Sequence, residues 1–243
     1  MEIKTEGIIE AWLRGLYEIR NQDGVVPTQR KNTHTKEVLN VQMIISDPMK
    51  DLDVIPDIEK ERGFDLNSVS NELYWDVMVG QKLKKFKSGD KSIDQINTIC
   101  QRLEVKYNRQ AYATVWSPEE DTQSFHPVCI LGVYFYIRQE RLHMVGILRS
   151  NDAWGQGLND IYHLVKIQQE VAERLKIKVG SYTHNVMSLH VYETDIKAVD
   201  TFFKIENGRE DKKEDENGYK NTIEPYIRKF RNSVCGNHAR FNE

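Results

Sequence analysis

The chain has 243 residues, of which 39% are apolar and 29% charged, and its formal net charge is −3. This composition is typical of a folded domain with a core, and it excludes collagen-like, disordered and disulfide-framework proteins. The small negative charge argues against a protein that coats nucleic acid. No apolar run reaches the roughly 18 residues that a membrane span needs. The chain has three cysteines, Cys100, Cys129 and Cys235, which lie far apart and form no CxxC pair. This pattern predicts free thiols rather than disulfides and no metal site, and free thiols favour a cytoplasmic location.

The first half of the chain predicts helices and loops around one strand. Apolar residues at helical spacing predict an amphipathic helix over residues 1–20 rather than a signal peptide. A strand is predicted over 37–45 and helices over 68–79 and 92–103. The basic stretch 82–92 between these helices predicts a solvated loop.

The second half changes to alternating or continuous apolar runs, which predict strands. The expected strands are 111–116, 128–137, 142–148 and 181–193, and helix 159–175 precedes the last of them. The four residues RQER join the second and third strands as a hairpin. Residues 1–243 are therefore expected to form one α+β domain, a mixed sheet with flanking helices.

Two short motifs lie at strand ends, where reactive side chains are often placed. Cys129 ends the motif HPVC before an apolar strand, and it is read either as a buried core thiol or as a nucleophile. Arg149 and Ser150 follow the next strand, where they could bind a phosphate or could be a surface arginine and a helix cap.

Taken together, several motifs in fixed order resemble the thymidylate synthase superfamily, which includes the pyrimidine nucleotide hydroxymethylases. The motifs are ELYW (72–75), NRQAYATVW (108–116), HPVC (126–129), RSNDAWGQGLND (149–160) and SLHVY (188–192), with a weaker match at QRKNTHT (29–35). Arg149 follows Cys129 by 20 residues, the spacing found in that family. The resemblance covers about residues 68–195, and 206–243 form a divergent, charged tail.

The resemblance implies a role for each matching residue. Cys129 matches the thiolate that adds to carbon 6 of the pyrimidine, which makes carbon 5 nucleophilic, and nearby arginines would favour the thiolate. The other matches are Glu72 as acid and base; Arg30, Arg149 and Ser150 as phosphate ligands; Arg109 as a phosphate ligand for the partner subunit; His190 and Tyr192 as sugar ligands; and Asp152 and Trp75 at the folate.

The residue that reads the base distinguishes the activities within this superfamily. Thymidylate synthases have an asparagine eleven residues after the signature arginine, whereas this position here is Asp160. A carboxylate accepts from the amine and the protonated ring nitrogen of cytosine, so Asp160 predicts a cytosine nucleotide. A slip of one residue would bring Asn159 to the base and restore the uracil specificity.

The resemblance therefore implies a sheet-mediated homodimer that transfers a one-carbon unit from methylenetetrahydrofolate to CMP or dCMP and yields the hydroxymethyl product. A thymidylate synthase acting on dUMP and a non-catalytic nucleotide-binding homologue stay as alternatives. Ile130 replaces the usual histidine after the nucleophile, and Gln110 replaces the second arginine of a pair. The segment 72–129 is short and the C-terminal lid is not recognisable, which leaves folate binding less well supported than nucleotide binding.

Overall fold

The computed structural model describes residues 1–64, 66 and 75–204. Its helices are α1 (Ile8–Arg20), α2 (Ile55–Glu61), α3 (Gln81–Lys84), α4 (Gln95–Leu103), α5 (Pro118–Asp121), α6 (Gly157–Leu175) and α7 (Ile196–Lys204). Short 3₁₀ helices span Leu52–Val54 and Glu193–Asp195, and a π-helical turn spans Asp76–Gly80. Its strands are β1 (Glu2–Thr5), β2 (Val26–Pro27), β3 (His34–Ile45), β4 (Phe86–Ser88), β5 (Lys91–Ile93), β6 (Tyr112–Thr114), β7 (Ile130–Arg138), β8 (Arg141–Leu148), β9 (Asn151–Asp152) and β10 (Lys178–Tyr192).

One mixed sheet organises the described residues. Its strands lie in the order β1–β3–β10–β8–β7–β6, with β2 added to β3 and β9 added to β10. The pairs β1–β3 and β8–β10 are parallel, whereas β3–β10, β7–β8 and β6–β7 are antiparallel. Because β8 and β10 are parallel, the chain must cross over between them, and α6 forms this crossover. The predicted α+β class with a mixed sheet is confirmed.

The β7–β8 hairpin is specified locally by its turn. Its central turn residues Gln139 and Glu140 have φ angles of 50° and 57°. Two successive left-handed residues make a turn whose twist matches the twist of the flanking strands. The hairpin predicted from the RQER link is therefore confirmed.

Helices α1 and α6 pack against one face of the sheet and form the core with it. The buried residues of α1 include Trp12, Leu13 and Leu16, in agreement with the predicted apolar face. Gly15 lets this helix approach closely, since a Cβ there would lie 2.6 Å from the Met43 side chain and 3.1 Å from that of Leu189. Burial of this apolar face stabilises the fold more than helix propensity does.

Two of the predicted elements are wrong in part. Residues 2–5 form β1, paired in parallel with β3, so the N-terminal helix begins only at Ile8. The sequence 82–92 is not a plain loop, because its residues form the end of α3 and most of the small β4–β5 hairpin. In both segments the strands are too short, and too rich in charged residues, to show the alternating apolar pattern that predicts a strand. Most of the predicted helix 68–79 lies outside the described residues, and the tail from 206, with Cys235, lies wholly outside them.

Candidate active site

A cavity of about 770 Å³ gathers most of the predicted site residues. Those that line it are Arg30, Trp75, Cys129, Arg149, Ser150, Asp152, Asp160, His190 and Tyr192. The volume lies within the range of small-molecule sites. Glu72 lies outside the described residues, and Arg109 is exposed before β6 and does not line the cavity.

The candidate nucleophile lies at the mouth of the β7–β8 hairpin. The Cys129 carbonyl accepts a hydrogen bond of 2.9 Å from the Arg149 amide, so the residues that precede β7 and follow β8 are neighbours. The thiol is exposed, which rules out the reading of Cys129 as a buried core residue. Its Sγ lies 3.5 Å from the Ser150 hydroxyl and 3.6 Å from Arg149 Nη2. Two polar donors therefore face the sulfur that would become negatively charged.

Backbone carbonyls fix the orientation of Arg149. Its Nε donates to the Val128 carbonyl at 2.9 Å, and its Nη2 donates to the Pro127 carbonyl at 2.6 Å. Nη1 also donates to the Ser150 hydroxyl at 3.1 Å. The HPVC and RSND motifs thus form one hydrogen-bonded unit, and Arg149 is held next to the thiol rather than being a free surface arginine.

A second arginine reaches the cavity from the loop before β3. Arg30 is exposed, and its Nη2 lies 3.1 Å from Nδ1 of His126, at the start of the HPVC motif. Two guanidinium groups therefore line the cavity, and that of Arg149 lies next to Cys129. Positive charge of this kind suits an anionic group such as phosphate.

Asp160, and not Asn159, faces the cavity. Asp160 lies in the first turn of α6, half-buried, where its Oδ2 accepts a 2.7 Å hydrogen bond from the Asn151 amide, and Trp75 donates to the same carboxyl. Asn159 is buried, does not line the cavity, and directs its amide to Gln156 at 3.0 Å. Burial raises the pKa of the Asp160 carboxyl to about 7, although the hydrogen bonds oppose this rise.

The remaining predicted residues lie on neighbouring strands. Asp152 on β9 pairs with His190 on β10, and the Ala153 amide donates to the His190 carbonyl at 2.8 Å. Burial raises the pKa of Asp152, whereas its hydrogen bond from the Gly155 amide and the charge of His190 lower it. The rings of His190 and Tyr192 meet edge to face, with centroids 5.2 Å apart.

Several side chains that line the cavity or contact its lining residues were not predicted. Asn151 holds Asp160, and its place inside the RSND motif could have indicated this. His163 stacks on Trp75 with centroids 4.6 Å apart, one helical turn after Asp160. Glu37 and Ser188 also line the cavity, and Ser188 donates to Glu37 at 2.7 Å. These last two lie far apart in sequence, so only the strand pairing reveals their contact.

Comparison with known proteins identifies the family. The family model described as thymidylate synthase matches residues 71–212, more than half of the chain. A protein of Methanosarcina barkeri named "Putative thymidylate synthase" is 29% identical over 83% of this chain and 94% of its own length. One of the same name from Methanothermobacter thermautotrophicus is 28% identical over 83% and 98%. "Thymidylate synthase 1" of Bacillus spizizenii is 29% identical over 45% of this chain and 39% of its own length.

The fold and the comparisons define an enzyme that transfers a one-carbon unit. The chain belongs to the thymidylate synthase family, whose members bind a nucleoside monophosphate and a reduced folate. Within the described residues no helix is both long enough and apolar enough to cross a membrane.

Proposed function

We propose that this protein is a cytidylate 5-hydroxymethylase that acts on CMP or dCMP. The observation that carries the proposal is the position of Asp160, which lines the cavity where a uracil-specific enzyme would present an amide. Asn159, the alternative base reader, is buried and bonded to Gln156. The geometry therefore supports the ungapped alignment and the cytosine specificity that follows from it.

Asp160 is suited to cytosine because Asn151 and Trp75 both donate hydrogen bonds to it. These donors favour the ionised carboxyl, whose free lone pairs then accept hydrogen bonds from the base. Cytosine offers its exocyclic amine and, once its ring nitrogen is protonated, a second N–H. Uracil offers one N–H and an oxygen that an ionised carboxylate repels.

The reaction begins with the Cys129 thiol. Loss of the thiol proton and formation of a bond from Sγ to carbon 6 of the pyrimidine convert carbon 5 into an enamine-like nucleophile. Arg149 and Ser150, at 3.6 and 3.5 Å, stabilise the negative charge on sulfur before this bond forms. The same two residues, with Arg30, bind the 5′-phosphate. Glu72 is assigned by the resemblance to the later proton transfers.

The one-carbon unit that carbon 5 accepts is supplied by methylenetetrahydrofolate. Asp152 fits a folate because its half-buried carboxyl lines the cavity and is held by the Gly155 amide, 3.0 Å from Oδ1. A carboxylate in this position matches the N–H donors of a pterin ring, and Trp75 contributes an aromatic wall. Water capture then leaves the hydroxymethyl product, whereas hydride transfer would leave a methyl group.

A homodimer is part of the proposal. On the sheet face turned away from α1 and α6, alternate residues such as Tyr134 and Tyr136 are half-buried, and Tyr112 is 48% exposed. A second copy packed on these side chains would bury apolar area that water otherwise contacts. Arg109 is exposed just before Tyr112, and in the proposed dimer it completes the partner's phosphate site. The reduced thiol that catalysis needs favours a cytoplasmic location.

Thymidylate synthase activity on dUMP is the second candidate, and two observations favour it. The relatives from Methanosarcina barkeri and Methanothermobacter thermautotrophicus are named "Putative thymidylate synthase". In addition, a pKa of about 7 leaves part of the Asp160 population protonated at neutral pH. A protonated carboxyl can donate to the uracil oxygen and accept from the ring N–H.

Tritium release from carbon 5 distinguishes the candidates. The enzyme is supplied with methylenetetrahydrofolate and with labelled CMP, dCMP, UMP or dUMP in turn, and the product mass identifies a hydroxymethyl or a methyl group. We expect release from a cytosine nucleotide with a hydroxymethyl product. Faster release from dUMP with a methyl product would establish the thymidylate synthase instead, and the absence of release from all four would exclude both.

The Asp160→Asn variant tests the base reader itself. It should lose cytosine nucleotides and gain uracil nucleotides, because an amide donates where the carboxylate accepted. At about 1–3 kcal/mol for each mismatched polar contact, the preference ratio should shift by about two orders of magnitude or more. Asn159→Ala is the matched control and should leave the cytosine-to-uracil ratio unchanged.

A further inference from the structure

We propose that Glu37, oriented by Ser188, selects a ribonucleotide over a deoxyribonucleotide by accepting a hydrogen bond from the 2′-hydroxyl. This inference rests on the proposed function, since it assigns the sugar of the same nucleotide. It turns the open choice between CMP and dCMP into a prediction for CMP.

Strand register places Glu37 beside the residues assigned to the sugar. Glu37 on β3 is directly paired with His190 on β10, and His190 is directly paired with Asp152 on β9. Directly paired residues present their side chains on the same face, with Cβ atoms about 5 Å apart. Asp152, His190 and Glu37 therefore form one row across three strands, and all three line the cavity.

The hydrogen bonds of Glu37 leave one acceptor open. Ser188 donates to Oε2 at 2.7 Å, which fixes the carboxylate. In the described part of the chain no donor reaches Oε1, and Oε1 is not among the buried unpartnered atoms. A ligand hydroxyl is a natural donor for an oxygen that is fixed and accessible in this way.

The charge of Glu37 is informative about which end of the nucleotide it meets. Strand β10 lies between β3 and β8 in the sheet, so Glu37 and the residue after β8, Arg149, are two strand spacings apart across the sheet, roughly 10 Å. Glu37 pairs with His190 whereas Leu148 pairs with Val186, so an offset along the strands adds to this separation. A carboxylate would repel a phosphate, and Arg149 attracts the phosphate to the β8 side of the cavity. The group that meets Glu37 must therefore be a neutral donor, which the sugar hydroxyls supply.

The second hydroxyl of a ribose falls next to the one already assigned. His190 and Tyr192 are taken to bind one sugar hydroxyl, and in ribose the 2′- and 3′-hydroxyls lie on adjacent carbons. Asp152, on one side of His190, is assigned to the folate. Glu37, on the other side, is the acceptor that remains for the adjacent hydroxyl. A deoxyribonucleotide would offer no donor to Oε1 of this partly desolvated carboxylate.

Binding measured by isothermal titration calorimetry tests the assignment with CMP, dCMP, UMP and dUMP on the full-length protein. The wild type should bind CMP about 10- to 100-fold more tightly than dCMP, the range expected for one unmatched polar group. Glu37→Ala should bring this ratio close to one by weakening CMP binding. Glu37→Gln, which keeps an acceptor, should retain part of the preference. Ser188→Ala, which frees the carboxylate, should lower it.

The exposed Glu61 provides the matched control, and Glu61→Gln should keep the wild-type ratio. Because each variant is compared with itself on two sugars, a general loss of folded protein cancels from the ratio. Equal affinity of the wild type for CMP and dCMP, or an unchanged ratio in Glu37→Ala, would overturn the inference and leave the cytosine specificity intact. Tighter binding of UMP than CMP, with the ribose preference kept, would overturn the proposed base and support the inference. If none of the four nucleotides binds, both are wrong.

Discussion

Replacement of Asp160 by asparagine should stabilise the protein at neutral pH, and the effect should depend on pH. Burial raises the native pKa of Asp160 to about 7 from an ordinary value of 3.8. Between these values the unfolded chain has released its proton while the native carboxyl still holds it. The wild type therefore loses stability as the pH rises from about 4 to about 7, and the loss is complete above 7. The asparagine of the variant has no proton to lose, so the variant avoids this part of the change.

The size of the effect follows from the pKa difference. A difference of about 3 units at 1.36 kcal/mol each gives an upper limit of about 4 kcal/mol. The Asp160 side chain keeps part of its surface exposed to the cavity, where water reduces the effect, so we expect about 2 kcal/mol. Weaker hydrogen bonds to Asn151 and Trp75 would cost about 1 kcal/mol, but this cost is the same at every pH.

Denaturant unfolding of wild type and variant at half-unit steps from pH 4 to 8 measures the difference directly. The free energy of unfolding of Asp160→Asn minus that of the wild type should rise by about 2 kcal/mol between pH 4 and 7 and then level off. Other buried groups such as Glu59, whose pKa burial also raises to about 7, are present in both proteins and cancel. Asp53→Asn, which removes an exposed carboxyl, is the control. A difference that stays flat with pH would refute a desolvated carboxyl at position 160.

Two further predictions concern catalysis. Cys129→Ala should abolish tritium release from carbon 5 while CMP still binds within about threefold of wild type by calorimetry, because Arg149 and Ser150 keep their places; turnover by this variant would exclude the thiol mechanism. Mixed Arg109→Ala and Cys129→Ala subunits should regain activity, up to about a quarter of wild type, since one site in each heterodimer receives both an intact thiol and a partner's arginine. A protein that sediments as a monomer, or no recovery on mixing, would contradict the shared site.

Much of the sheet could be predicted because its strands carry strong local patterns. The apolar runs around the RQER link and the long strand that ends at Tyr192 have clear boundaries in the sequence. The parallel pairing of β1 with β3 could not be predicted, since Glu2–Thr5 is too short for alternation and its partner is about 40 residues away. The β4–β5 hairpin was missed because its strands are exposed and charged, so no apolar face marks them.

The candidate site divides in the same way. The grouping of Cys129, Arg149 and Asp160 in one cavity could be predicted, because they belong to motifs with a fixed spacing along the chain. Glu37 and Ser188 could not, because 151 residues separate them and each looks like an ordinary strand residue in isolation. A side chain that acts through its neighbour on another strand leaves no local signal, and the sheet register is what identifies it.

The 20-residue spacing between Cys129 and Arg149 has a structural cause in the β7–β8 hairpin. The pairing is regular from the Arg138–Arg141 pair to the Gly132–Ile147 pair. It then shifts by one residue, because the next pair is Ile130 with Leu148 and Leu131 is left without an opposite residue. Without this bulge, Arg149 would lie opposite Ile130 rather than Cys129. The carbonyl of the extra residue, Leu131, accepts hydrogen bonds from the Val115 and Trp116 amides at 2.9 and 3.2 Å, so the bulge is anchored by the segment after β6. A bulge redirects the strand that contains it, and here it brings the thiol next to the arginine and serine that can stabilise its charge. The spacing is thus a register constraint, and an insertion in either strand that is not matched in the other would separate Cys129 from Arg149 and Ser150.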